Sequence, residues 1–175
     1  MFSIGDRVVH PMHGAGIIDG IVEEKVGGDR RSYYVFRLIV GGLVLKIPVA
    51  GSSSIGLRAI LDRESVEQVL EALPALSAEM SSNWSRRYRE NLERLKTGDL
   101  YEVARVIKGL MGRDREKGLS TGERKMLHNA KQILVSEIML IEGTGYQETE
   151  KRVTAAAQSR GAGYGEGIVC HEGIF

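Results

Sequence analysis

A lone cysteine, Cys170, cannot form an intrachain disulfide, so nothing in this 175-residue chain calls for an oxidising compartment. Long apolar runs are missing as well. The longest, Ile39 to Ala50, is interrupted by Gly41, Gly42, Lys46 and Pro48, which makes it too short and too broken to span a bilayer. Met1 to Arg7 lacks a basic stretch followed by an apolar one and does not read as a secretion signal. A cytoplasmic protein without a membrane partner is expected. The four histidines (His10, His13, His128 and His171) are scattered, and none has zinc-ligand spacing to a second His or Cys. Cys170 and His171 adjoin, but in a glycine-rich tail. No strand and glycine loop leads into a helix with the lysine that cradles phosphate. Carboxylates pair only on charged helices, where solvation explains them. Neither metal nor cofactor is expected, and no convergent set of polar residues suggests an enzyme.

Net charge is also small, +1, but it is unevenly spread. Residues 1–81 carry 8 Lys/Arg against 10 Asp/Glu, residues 82–133 carry 13 against 7, and residues 134–175 carry 3 against 6. A basic block between near-neutral flanks fits a local polyanion-binding surface, and equally fits solvated helix faces.

Two patterns of hydrophobicity divide the chain. Residues 1–50 read as β: Arg7–His10 is a short strand closed by Pro11, and Gly16–Lys25 is a second. Tyr34, Phe36, Leu38 and Val40 form one apolar face at period two in a third. Gly27-Gly28 turns the second strand into the third. Gly41-Gly42 reads as a two-residue hairpin into Leu43–Ile47, since glycine supplies the positive φ that such turns need. Four or five short strands with tight turns suggest a small SH3- or Tudor-like barrel. Beyond Gly56 the period becomes helical. Asp62–Leu73 ends at Pro74, and Ser77–Ser82 reads as a polar linker. Asn83–Lys96, a helix opening at Asp99 and closing at Gly118, and one opening at Ser120 follow. Ser120-Thr-Gly-Glu123 is a capping box. A last helix runs from Gln147 to Gln158. The fold class is therefore α+β, a barrel over residues 1–54 followed by an all-α domain over 55–158. Residues 159–175 are expected to be a disordered tail.

The most informative segment is Ser81 to Lys96. Its Trp84 is the only tryptophan in the chain, at the start of a helix whose Tyr88, Leu92 and Leu95 continue an apolar stripe. Trp84 can top that stripe as core. Alternatively, Arg86, Arg87 and Arg89 beside it, and the free N–H groups of a helix N-terminus, suit phosphate. An aromatic wedge next to phosphate-gripping arginines is how proteins hold distorted DNA. Arg124, Lys125 and Lys131 form a second basic group. The residues alone leave both readings open.

Gly5-Asp-Arg-Val-Val-His-Pro-Met-His-Gly-Ala15, Asn83-Trp-Ser-Arg-Arg-Tyr88, Gly118-Leu-Ser-Thr-Gly-Glu-Arg-Lys-Met126 and Ala130-Lys-Gln-Ile-Leu134 together resemble the CarD/CdnL family of bacterial RNA polymerase-binding regulators. The resemblance covers roughly residues 2–143. The first module also resembles the polymerase-docking domain of transcription-repair coupling factors, without their helicase motors. The resemblance implies a Tudor-like barrel docked on the polymerase β subunit and a helical domain on promoter DNA at the upstream edge of the bubble. Trp84 would be the minor-groove wedge that stabilises the open complex. Arg86, Arg87 and Lys125 would hold the backbone, joined by Arg89, Arg124 and Lys131 from the basic groups. Lys46, before Ile-Pro, takes the place of a polymerase-contacting cation. Where some members have a second such arginine, this chain has Glu24, with Lys25 next to it. A monomeric regulator, associated with the nucleoid through polymerase, is expected. Two rivals are a protein-interaction module with Trp84 in the core, and an RNA-binding barrel. The 6 basic to 5 acidic residues over 1–50 argue against the second.

Overall fold

The computed structural model describes residues 1–159. Apart from Ser159, the expected tail lies outside the described residues, together with Cys170 and His171. Five strands, β1 (Arg7–His10), β2 (Gly14–Val26), β3 (Asp29–Leu38), β4 (Val44–Pro48) and β5 (Arg58–Ala59), form an antiparallel sheet in the order β4-β3-β2-β1-β5. The period-two face of β3 is buried as its sequence implies: Tyr34, Phe36 and Leu38 join Val8, Ile18, Ile47 and Leu57 in one apolar cluster. Every strand or its immediate flank contributes to that cluster, so the sheet curls around it in the manner of a small barrel. A register shift between Ile18 and Gly20 assists the curl.

The two glycine pairs behave differently. Gly27 and Gly28 make the expected tight turn, with Val26 paired directly to Asp29. Gly41 and Gly42 also have positive φ, yet their connection is five residues long rather than two. The Ile39 N–H donates to the Ala15 carbonyl of β2 at 3.1 Å, which draws the chain off β4 after Leu38. Val40 is accordingly only half-buried.

The helices are α1 (Ser52–Ile55), α2 (Arg63–Ala72), α3 (Trp84–Lys96), α4 (Leu100–Lys117), α5 (Thr121–Glu142) and α6 (Tyr146–Gln158), with a 3-10 turn at Leu73–Ala75 around Pro74. Asp62, Asn83, Asp99 and Ser120 each cap a helix through the side chain. Residues 76–82 belong to no helix or strand, but they are more than a polar linker. Met80 lies in a notch at Gly109 of α4, where any added Cβ would sit 2.1 Å from its Cε. Met80 thus anchors the approach to α3.

Sheet and helices share an interior. β1 buries Val8 in the sheet cluster and Val9, on the opposite face, among the helices. The Ala15 N–H donates to Ser136 Oγ of α5 at 2.8 Å. Gly14 packs so closely there that a Cβ would lie 2.6 Å from that Oγ. A bidentate pair closes the seam. Arg58 of β5 donates to both carboxylate oxygens of Glu137 at 2.8 and 2.7 Å, and the Leu61 N–H adds a third bond at 2.8 Å. The Glu137 residue is fully buried. β5 is thereby both the sheet's last strand and one of its ties to α5.

Candidate nucleic-acid interface

Asn83 starts α3 by accepting the Arg86 N–H at 3.0 Å, which makes Trp84 the first helical residue. That position decides what the indole can do. At the first turn the apolar stripe runs past the edge of the bundle, so Leu95 is buried while Trp84 remains 48% exposed. The indole stacks on Tyr88 one turn later, with ring centroids 5.5 Å apart and planes 24° from parallel. Its Nε1–H donates to Ser120 Oγ at 3.0 Å. The first of the two readings of Trp84, a core residue, does not hold: the ring is anchored along one face and one edge and open elsewhere.

Ser120 caps α5. Its Oγ accepts the Glu123 N–H at 3.2 Å, and the Glu123 carboxylate returns to the Ser120 N–H at 3.4 Å, completing the expected box. The positive ends of α3 and α5 therefore adjoin beside an exposed aromatic ring. Such ends favour anions.

Not all the anticipated cations face that ring. Arg86 is exposed and pairs with Glu90 at 2.8 Å one turn along its own helix. Arg89 and Lys125 are exposed and enter no ion pair among the described residues. Arg124 is exposed; its Nε donates to the Leu119 carbonyl at 3.3 Å, and its Nη2 lies 3.9 Å from the Asp114 carboxylate in a loose ion pair.

Two of the expected cations are held within the fold. Arg87 is 1% exposed and cannot hold a phosphate in this conformation. Its guanidinium meets Glu123 at 2.6 and 2.7 Å, and its Nη1 donates to the carbonyls of Ser81 and Ser82 at 3.0 and 3.1 Å. Arg87 occupies the helix face between Trp84 and Asn91, which points at α5, whereas Arg86 and Arg89 point away. It positions the approach segment and the two helix ends. Lys131 is also withdrawn: its ammonium reaches Glu150 at 3.4 Å and Thr154 at 3.1 Å on α6. Six residues beyond Lys125 the α5 face has rotated toward that neighbour.

On the sheet, Lys46 projects outward while its neighbour Ile47 is buried, as alternation requires. Glu24 forms an exposed ion pair with it, and Lys25 is exposed nearby. The chain's departure at Glu24 thus places a carboxylate directly on Lys46. Tyr88 meets the indole as the shared apolar stripe of α3 implies, whereas Ser120 comes from another helix. Ser120 was legible as a cap, but no sequence signal joins it to a ring 36 positions away. Elsewhere, burial and then His13 push His10 down to about 4, so this ring is neutral near pH 7. Its Nδ1 accepts the Met12 N–H at 3.1 Å. Among the described residues no group of three or more His, Cys, Asp or Glu could hold a metal, and no helix is long and apolar enough to cross a membrane.

Comparison with known proteins agrees with this architecture. The family model of the CarD-like/TRCF RID domain matches residues 2–61, which end just beyond β5. The CarD C-terminal domain model matches residues 68–154, which include α3 to α5. A Bacillus subtilis (strain 168) protein named "Putative transcription factor YdeB" is 35% identical over 153 residues, covering 87% of this chain and 97% of its own length. With both halves of the architecture matched in order, the chain belongs to the CarD family of transcription regulators.

Proposed function

We propose that this regulator docks on the RNA polymerase β subunit through its sheet and stabilises melted promoter DNA through Trp84. In this reading residues 1–54 form the docking unit, completed by β5, and residues 55–158 the DNA unit. Lys46, with Lys25 nearby and Glu24 as its intramolecular partner, offers the charged docking patch. Arg86, Arg89, Arg124 and Lys125 grip backbone phosphates. Arg87 and Lys131 keep the scaffold in place.

The observation that carries this reading is the exposed indole at the joined N-termini of two helices. A half-exposed tryptophan presents a large apolar surface of the kind enriched at interfaces, and the charge around it selects a polyanion. Unstacking a base step costs a few kcal/mol, and an inserted ring offsets part of that cost. Trp84→Ala should therefore shorten the life of the open promoter complex. A loss of about 1.4 kcal/mol falling wholly on the collapse step gives roughly a tenfold shorter half-life. The slope of DNA affinity against salt should stay unchanged, because indole releases no counterion. Promoter-complex half-lives with polymerase present, at two salt concentrations, measure both. A folded Trp84→Ala protein with wild-type half-lives would leave a polymerase-docking interaction module as the function.

A further inference from the structure

Indole has a single hydrogen-bonding group, Nε1–H, and it donates only. In this protein that group is already engaged. Ser120 Oγ receives it at 3.0 Å and receives the Glu123 N–H at 3.2 Å, so both lone pairs of the hydroxyl are in use. The acceptor cannot drift. Ser120 is fixed as the cap of α5, and Glu123 of the same box is locked to Arg87, which in turn holds the carbonyls of Ser81 and Ser82. The donor is fixed too, at the first position of α3 and stacked on Tyr88. What Trp84 leaves open to a partner is therefore a ring edge and surface made of carbon and hydrogen.

We propose that Ser120 is a specificity-determining residue. By occupying the indole N–H it makes the wedge unable to read base edges, so insertion depends on stacking and on how easily a step opens. This inference rests on the wedge reading above. In the minor groove every base pair offers acceptors at A N3, T O2 and their G·C equivalents, and only G·C adds the N2 amino donor. A free indole N–H would find acceptors most readily at A·T pairs. An occupied one has no such preference, and discrimination then follows the flexibility of the step, greatest at pyrimidine–purine steps. Trp84→Phe, which has no N–H to offer, should rank such steps as the wild type does.

Trp84 is the only tryptophan, so the protein gives one indole N–H resonance that reports this bond directly. The full-length chain is followed by proton–nitrogen NMR, free and with pre-melted promoter fragments that differ in one base pair at the upstream edge. In the free protein, Ser120→Ala should move the resonance and speed its exchange with solvent about fivefold, the effect of losing one ordinary hydrogen bond. Ser120→Thr, which keeps the oxygen, should restore both. With DNA, the wild-type resonance should hold one position across the fragments, while that of Ser120→Ala should vary with the base pair. Half-lives of open complexes on the same fragments should keep their wild-type order with Trp84→Phe. A wild-type resonance that moves with base identity, or a Trp84→Phe protein that loses the wild-type order, would overturn the proposal. So would a free-protein resonance unaffected by Ser120→Ala. Failure of the wedge reading is separate: it appears as wild-type half-lives with Trp84→Ala, whatever the resonance does.

Discussion

α5 carries two buried carboxylates four turns apart, each holding an arginine from another part of the chain, and they serve different ends. Glu123, at the N-terminal end, meets Arg87 of α3. Both side chains are almost dry, 2% and 1% exposed. Glu137, farther along, meets Arg58 of β5, whose side chain remains 23% exposed while Glu137 has no exposure. The first pair organises the candidate interface by tying together α3, the start of α5 and the approach at Ser81 and Ser82. The second ties the sheet to the helices, and so fixes the position of a docking patch relative to the indole. Burial of charge costs desolvation in both. The difference lies in what remains when one partner is removed: a stranded Arg87 stays buried with only the Ser81 and Ser82 carbonyls as partners, whereas a stranded Arg58 has an exit to solvent.

That asymmetry orders the expected effects of mutation. Glu123→Ala should be the most damaging, about 3–5 kcal/mol less stable by urea denaturation, because it leaves an uncompensated buried cation. It should also loosen Trp84, visible as easier acrylamide quenching of the single tryptophan. Glu137→Ala should cost less, about 2–3 kcal/mol. Arg58 can turn to solvent, and the chief loss is the Leu61 N–H left without an acceptor. Quenching of Trp84 should hardly change, since this pair lies at the seam. A reversed order of stability loss, or equal loosening of the indole, would break the comparison.

The cations outside the two pairs sharpen it further. Neutralising Lys125, exposed and unpaired among the described residues, should weaken binding to any DNA and lower the salt slope by about one unit. Lys131→Ala should leave the slope unchanged, because its ammonium is held by Glu150 and Thr154. Titrations over a range of salt distinguish the two. The smallest effect on stability belongs to Lys46→Glu, within about 0.5 kcal/mol, because its pair with Glu24 is exposed and such pairs contribute little. Retention on the isolated polymerase β lobe should nevertheless fall, now that two carboxylates face the partner where one was balanced.

Much of the fold is legible in local pattern. The buried face at Tyr34, Phe36 and Leu38 follows from strand alternation, and the caps at Asp62, Asn83, Asp99 and Ser120 from side chains suited to unpaired backbone N–H groups. The second glycine pair shows where that stops. The positive φ at Gly41 and Gly42 was written in the residues, but the length of the loop was set by Ile39 bonding to a strand remote in sequence. The candidate site divides in the same way. Trp84 at a helix start among arginines is a local fact, while the separation of Arg86 and Arg89 from Arg87 depends on which face of α3 meets α5.

The sequence by itself determined a period-two module followed by capped helices, with one aromatic ring at the head of a basic helix. Spacing and capping act within a few residues, so they survive without knowledge of neighbours. Only tertiary structure decided which charges are free. It buried Arg87 against Glu123, drew Lys131 to Glu150, joined Arg58 to Glu137 and turned the indole N–H toward Ser120. A side chain's charge is fixed by its type, but its availability to a partner depends on what the fold places within about 3 Å of it.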